Sequence, residues 1–382
     1  NNPGFLYVTN AVGAVIGGSA TAISSTVGLS LTNLGTINGS VVSTAGSGTN
    51  STIDTRVGLI NGNVALGAGN DTLRARYDGT TGQIASITGT IDGGAGTDTL
   101  AIGVDADTVF TRAILPTNFE LLGFDLSNNA VATLAPDFTS GAGVALSGTG
   151  TLINQAALVT NGPAVAASGA IFVNQGSITA TLNSTSLFAV GSPSTLTNSG
   201  TINANGGSGA QAFTTLTNSG AIAATGTGVA VSYGTLANTG TIRSTAGIGA
   251  TINGSGTYLA STNAGTIAGA ITGVSLSGRL VNTGTITGAT TGVSLSYGTL
   301  VNAASGSITG GTAAVISAGS NTSVVNAGLI SGNVSFVPPY SFDYNSDVFV
   351  DNGGTVTGAI QLGGGDDLLV VDLASSGSRP LA

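Results

Sequence analysis

The sequence predicts an all-β protein folded as a single elongated right-handed parallel β-helix with about 20–26 residues per coil. Three observations carry that prediction. A short apolar-x-Asn triplet recurs along most of the chain. Each repeat holds brief segments in which apolar and polar residues alternate. The composition is rich in Gly, Thr, Ser and Asn, and poor in charge.

The triplet comes first. It stands at Leu31/Asn33, and then at Leu152/Asn154, Phe172/Asn174, Leu196/Asn198, Leu216/Asn218 and Leu236/Asn238. It continues, through a weaker copy at Ser261/Asn263, to Leu280/Asn282, Leu300/Asn302, Val324/Asn326 and Val350/Asn352. A period of this size marks a solenoid in which each repeat is one coil.

From the repeat "LVNTGTITGATTGVSLSYGT" at 280–299 into the start of the next, three segments alternate with period two: "GTIT", "GVSLS" and "TLVN" at 299–302. Segments of that length read as strands. The Gly, Thr, Ser and Asn content disfavours helix. Stacking the repeats puts Ile202, Ile222, Ile242, Ile267, Ile286 and Ile308 in one inward column, and Leu196, Leu216, Leu236, Leu280 and Leu300 in another. The recurring Asn is expected to form an internal ladder from a left-handed bend, with Gly supplying positive φ at the corners. At ~4.8 Å per coil, roughly fifteen coils would extend on the order of 70 Å.

Composition narrows the chemistry. Among 382 residues there is no His, Cys, Met, Trp or Lys, so most nucleophiles, general bases and metal ligands are missing. The acids are fifteen Asp and one glutamate, Glu120. With seven Arg and a net charge of −9, no basic stripe exists for nucleic acid. No run of apolar residues is long enough to span a membrane as a helix, and "NNPGFLYVTN" has no basic leader region. The lack of Cys is compatible with export.

Charge also organises the chain. Four regions are expected: an apolar N-terminal end (1–30), a module with Gly-Asp corners (31–137), a low-charge stem (138–328), and a C-terminal module with an aromatic, acidic loop (329–382). No acid lies between Asp137 and Asp343. The N-terminal module carries "GLINGNVALGAGNDTL" and "TGTIDGGAGTDTLAI"; the C-terminal one carries "GLISGNVSF" and "VTGAIQLGGGDDLLVV". With "NFELLGFDL" at 118–126, these motifs resemble the passenger domains of Gram-negative autotransporters. The resemblance implies a β-helix at the bacterial surface or outside the cell, and it implies fold and location more than activity. No membrane barrel follows "SSGSRPLA", so a released passenger, a shortened piece of a longer chain, or a related secreted protein without a barrel is expected.

Two sets of residues are candidates for binding. "GGAGTDTLA" fits the calcium-binding nonapeptide pattern, and "GAGNDTLR" and "GGGDDLL" fit it in part, which makes Asp71, Asp98 and Asp367 candidate calcium ligands. The competing reading has each Asp capping its own Gly corner, with no cofactor at all. The second set is the loop "FVPPYSFDYNSDVFVD", where Tyr340, Phe342, Asp343, Tyr344 and Asp347 could meet a sugar or a protein.

The function expected from these features is non-enzymatic: an extracellular structural or adhesive protein of the bacterial surface. Its expected partners are other copies stacked end to end through unpaired strand edges, and a host or matrix surface glycan or protein. The alternative is a polysaccharide lyase or hydrolase, for which Asp343, Asp347 and Asp351 are the one loop cluster of suitable acids. Ice binding is excluded, because only Thr285/Thr287 among six flanking pairs is Thr-x-Thr.

Overall fold

The computed structural model describes residues 4–111, 116–139, 143–254, 259–317, 319, 321–336 and 346–371. Among them there is no helix, and the fold is a parallel β-solenoid of about 16 turns. The chain divides into two compact units, Asn1–Phe172 and Val173–Ala382.

In the C-terminal unit the repeat builds three stacks of short parallel strands. One runs through Thr195–Asn198, Thr215–Asn218, Thr235–Asn238 and Ala260–Asn263, and carries the Leu column. A second runs through Ser177–Thr181, Thr201–Asn205, Ala221–Ala224 and Thr241–Ser244, and carries the Ile column. The third includes Ser208–Ala212, Val229–Val231 and Ala250–Asn253. Ile202, Ile222 and Ile242 pair in register and are buried, as are Leu196, Leu216 and Leu236. Identical residues one coil apart therefore fill the core, and burying each apolar side chain supplies about 1.5–3 kcal/mol of driving force.

The Asn ladder follows the same register. Asn174, Asn198, Asn218, Asn238, Asn263, Asn282, Asn302 and Asn326 are all buried, and from Asn174 to Asn302 each side-chain amide donates to Oδ1 of the next at 2.7–2.9 Å. Three local details differ from the sequence reading. The ladder asparagines end strands and are not in the left-handed region. Gly220 is likewise not at positive φ; a Cβ there would stand 2.0 Å from the Gly200 carbonyl oxygen, so glycine is required by close approach between coils. Asp351, not Asn352, is in register with Asn326. In addition, "GVSLS" and "TLVN" fuse into single strands, Thr272–Asn282 and Thr291–Asn302. The latter turns its corner at Gly298 with φ +104°.

In the N-terminal unit, one stack runs through Phe5–Asn10, Gly28–Asn33, Thr52–Asp54, Thr72–Asp78, Thr99–Val104, Leu121–Leu126 and Gly143–Gly148, all parallel. Inward residues alternate with outward ones along each strand, as the pleat requires. In Thr72–Asp78, Leu73 and Ala75 are buried while Arg74 and Arg76 face out. The rings of Tyr77, Phe110 and Phe124 pack in succession, with centroids 4.4 and 4.8 Å apart. The Asn ladder is short here: Asn10 donates to Asn33, which donates to the hydroxyl of Thr55.

Candidate functional site

The acidic corners are built from the residue that precedes each strand of the N-terminal stack. In register these are Ser51, Asp71, Asp98 and Glu120. The backbone N–H of each donates to the side chain of the next: Ser51 to Asp71 Oδ1, Asp71 to Asp98 Oδ1 at 2.7 Å, and Asp98 to Glu120 Oε2 at 2.8 Å. Beside this column, buried from Ser51 to Asp98 and exposed at Glu120, runs an exposed one, in which Asn70 N–H donates to Asn50 Oδ1 and Thr97 N–H to Asn70 Oδ1. Glycine lets the corners stack so closely. A Cβ at Gly94 or Gly96 would lie 1.9 Å from a carbonyl oxygen of the coil before, and both residues have positive φ.

Asp71 and Asp98 are 1% and 0% exposed, and the Oδ2 atom of each has no hydrogen-bond partner. Burial pushes the Asp98 carboxyl up to about 6; the hydrogen bond from Asp71 N–H opposes this, while the acids at Asp71, Glu120 and Asp92 reinforce it. Burial also raises Asp71, against the hydrogen bonds from Ser51. Calcium takes roughly six to eight oxygens, whereas one oxygen of each Asp is already held by a backbone donor. Among the described residues no group of three or more acids could hold a metal ion. Asp367 belongs to the C-terminal unit, where it accepts Asp347 N–H at 2.9 Å.

Of the loop candidates, Tyr340, Phe342, Asp343 and Tyr344 lie outside the described residues. Asp347 is buried, and its Oδ1 accepts both the N–H and the hydroxyl of Thr322, at 2.7 and 2.9 Å. Phe336 and Phe349, which flank the loop, are core residues. Asp351 is 3% exposed.

The sequence reading did not single out the arginines of the N-terminal unit, yet they line two concave surfaces of it. Arg56 bridges two acids, with Nη2 2.7 Å from Asp54 Oδ2 and Nη1 2.9 Å from Asp125 Oδ2. Its stem crosses Gly103, where a Cβ would lie 3.0 Å from Arg56 Cδ. Burial pushes Asp54 up, but hydrogen bonds from Arg56 and the charges of Arg56 and Arg74 outweigh it and hold the carboxyl below its ordinary value. Arg56 is in turn raised, chiefly by its hydrogen bond to Asp54.

On one side of this clasp is a groove of about 410 Å³ on the outer face of the sheet. Its floor is the outward row Ala101, Gly123, Ala145 and Ala166, headed by Arg74. Thr72 and Thr99 edge one side; Asp125, Ser147 and Ser168 edge the other. A cleft of about 440 Å³ on the far side of the clasp is lined by Arg76, Tyr77, Asp105 and Phe110. The alternating "TLRARYD", with two of only seven arginines on one outward face, was the signal in the sequence. No family model, curated protein or solved structure matches the chain.

Proposed function

We propose that the protein is a non-enzymatic, extracellular structural and adhesive protein of the bacterial surface, similar in kind to an autotransporter passenger. One observation carries the reading. The described acids that the sequence offers as ligands or catalytic groups are committed to the scaffold: Asp71, Asp98, Asp347 and Asp367 accept backbone N–H groups across coils, and Asp351 is buried. An acid–base pair needs carboxylates open to substrate, as glycoside hydrolysis illustrates. Of the three acids that the lyase or hydrolase alternative would use, Asp347 and Asp351 point inward.

In this reading the contact surface is the outer face of the N-terminal unit. Arg74 at the head of the small-residue groove offers a guanidinium to a carboxylate or sulfate on a surface glycan, with Ser and Thr hydroxyls alongside. End-to-end self-association belongs to the same proposal.

The test is to incubate the protein with acidic and neutral bacterial and plant glycans and to measure both retention on immobilised glycan and release of reducing ends. Retention of an acidic glycan, weakened roughly tenfold by Arg74→Ala with no products released, is the expected outcome. Catalytic release of reducing ends would overturn it. Electron microscopy at increasing concentration tests self-association, with filaments expected and a strictly monomeric particle counting against it.

A further inference from the structure

We propose that the cleft on the far side of the Arg56 clasp is a binding site for a neutral sugar of one or two rings, distinct from the groove that Arg74 heads. The cleft stands where the chain leaves its repeat. Tyr77 and Asp78 pair antiparallel with Ile84 and Gln83, within a solenoid built by parallel pairing. Asp78 fixes the turn of this hairpin, accepting Thr80 N–H at 2.8 Å and the Thr81 hydroxyl at 2.9 Å. Insertions into single coils of a solenoid map to one face, often the binding face. Tyr77, Asp105 and Ser127 lie at or just past the ends of three strands paired in succession, Thr72–Asp78, Thr99–Val104 and Leu121–Leu126, so the cleft crosses three coils.

The lining combines an apolar wall with donors and acceptors. Leu34, Val57 and Val104 form the wall together with the Tyr77 ring, which Phe110 backs at 4.4 Å between centroids. Such a wall suits the C–H face of a sugar ring, which gains from burial against an aromatic without asking for charge. Arg76 is exposed and is the donor: its Nη1 reaches the Arg56 carbonyl at 3.3 Å, and a guanidinium has five N–H groups in all. Asp105, also exposed, is the acceptor. The hydroxyls of Thr108 and Ser127 donate to the Ala106 and Val104 carbonyls at 2.9 and 3.4 Å, and their lone pairs can still accept from a ligand hydroxyl.

Charge and size select the class of ligand. Arg56 is already engaged by Asp54 and Asp125 at 2.7 and 2.9 Å, so the charges left facing the cleft are Arg76 and Asp105, of opposite sign. A carboxylate or sulfate would meet Asp105 and the two clasped acids, and an amine would meet Arg76. A neutral ring bearing hydroxyls accepts from Arg76 and donates to Asp105 with neither repulsion. The cleft holds about 440 Å³. That volume lies in the lower part of the range of about 300–1,000 Å³ for small-molecule sites. The assignment deepens the adhesive reading and rests on it for its purpose, yet it concerns a different surface and a different class of sugar.

Isothermal titration of the whole chain with cellobiose, maltose, lactose and N,N′-diacetylchitobiose, and with a uronate-containing disaccharide for comparison, tests the assignment. At least one neutral disaccharide should bind, and the uronate should bind roughly tenfold more weakly or not at all. Asp105→Ala and Arg76→Ala should each weaken the neutral sugar roughly tenfold, as loss of a charge-assisted hydrogen bond implies. Both side chains are exposed, so neither replacement disturbs the core. Arg243→Ala, an exposed position in the C-terminal unit, should leave binding unchanged. Failure of all four neutral sugars to bind, a preference for the uronate, or binding that both cleft variants leave intact would overturn the assignment. Retention of acidic glycan, measured separately, keeps the two claims apart. Retention without neutral-sugar binding overturns the cleft alone, and neutral-sugar binding without retention overturns the groove alone.

Discussion

The side-chain amide of Asn198 donates to Oδ1 of Asn218 at 2.8 Å, across one coil and with both residues fully buried. Asn218 passes the bond on to Asn238 at the same distance, so each rung is both donor and acceptor. Removing one rung strands polar atoms on two sides. Asn218→Ala should lower the stability of the C-terminal unit by about 2–4 kcal/mol, since each buried polar group left without a partner costs about 1–3 kcal/mol. Asn218→Thr should cost less, because Thr55 already serves as a rung, accepting from Asn33 at 3.1 Å. Urea denaturation of the three proteins gives the order directly.

The glycines separate into those that coils press against and those that nothing touches. A Cβ on Gly220 would meet the Gly200 oxygen at 2.0 Å, whereas one on Gly46 would meet nothing within 4 Å. Gly220→Ala should destabilise by about 2 kcal/mol or more by forcing two coils apart. Gly46→Ala should be neutral or stabilise by up to about 1 kcal/mol through the unfolded state. Equal effects at the two positions would contradict the close-approach explanation.

The fold was legible because the solenoid repeats its own environment. Ile202 and Ile222 are in register since both are the inward residue of the same strand in adjacent coils, and periodicity reports that without knowledge of distant contacts. The Asn ladder was legible for the same reason. What periodicity does not report is why a residue is small or where a carboxylate points. Gly220 reads as a turn residue in sequence, while its role depends on a carbonyl in the previous coil. Asp71 and Asp98 read as ligands or, more readily, as caps in sequence, and only the fold shows which N–H groups donate to them. Arg56 meets Asp125 across 69 positions and off the repeat, so no pattern could pair them.

Asp347 was a candidate for recognition in sequence and is an internal acceptor in the fold. Its Oδ1 receives two bonds from Thr322. Asp347→Asn retains that oxygen and should stay within about 1 kcal/mol of the wild type, whereas Asp347→Ala leaves the buried Thr322 N–H without its acceptor and should cost about 1–3 kcal/mol. Thermal unfolding of the two variants distinguishes this role from ligand binding, which would leave both near the wild-type midpoint in the absence of ligand.

Two carboxylates of the N-terminal unit should give its stability opposite pH dependences. Asp98 is raised in the folded state from 3.8 to about 6, so its contribution is complete below about pH 4 and is lost as pH climbs towards 6. Asp54 is lowered from 3.8 by Arg56, so its contribution is present above about pH 4 and is lost as pH falls through the lower folded value. Together the two groups favour a maximum near pH 4, with a decline on each side. Arg56→Met removes the clasp to Asp54 and Asp125; because these side chains are partly exposed, the loss at neutral pH should be only about 1 kcal/mol. The same variant should show a shallower acid limb, while Asp98→Asn flattens the limb above pH 4. Denaturation of the three proteins at a series of pH values separates the terms, and an unchanged acid limb in Arg56→Met would remove Asp54 from the account.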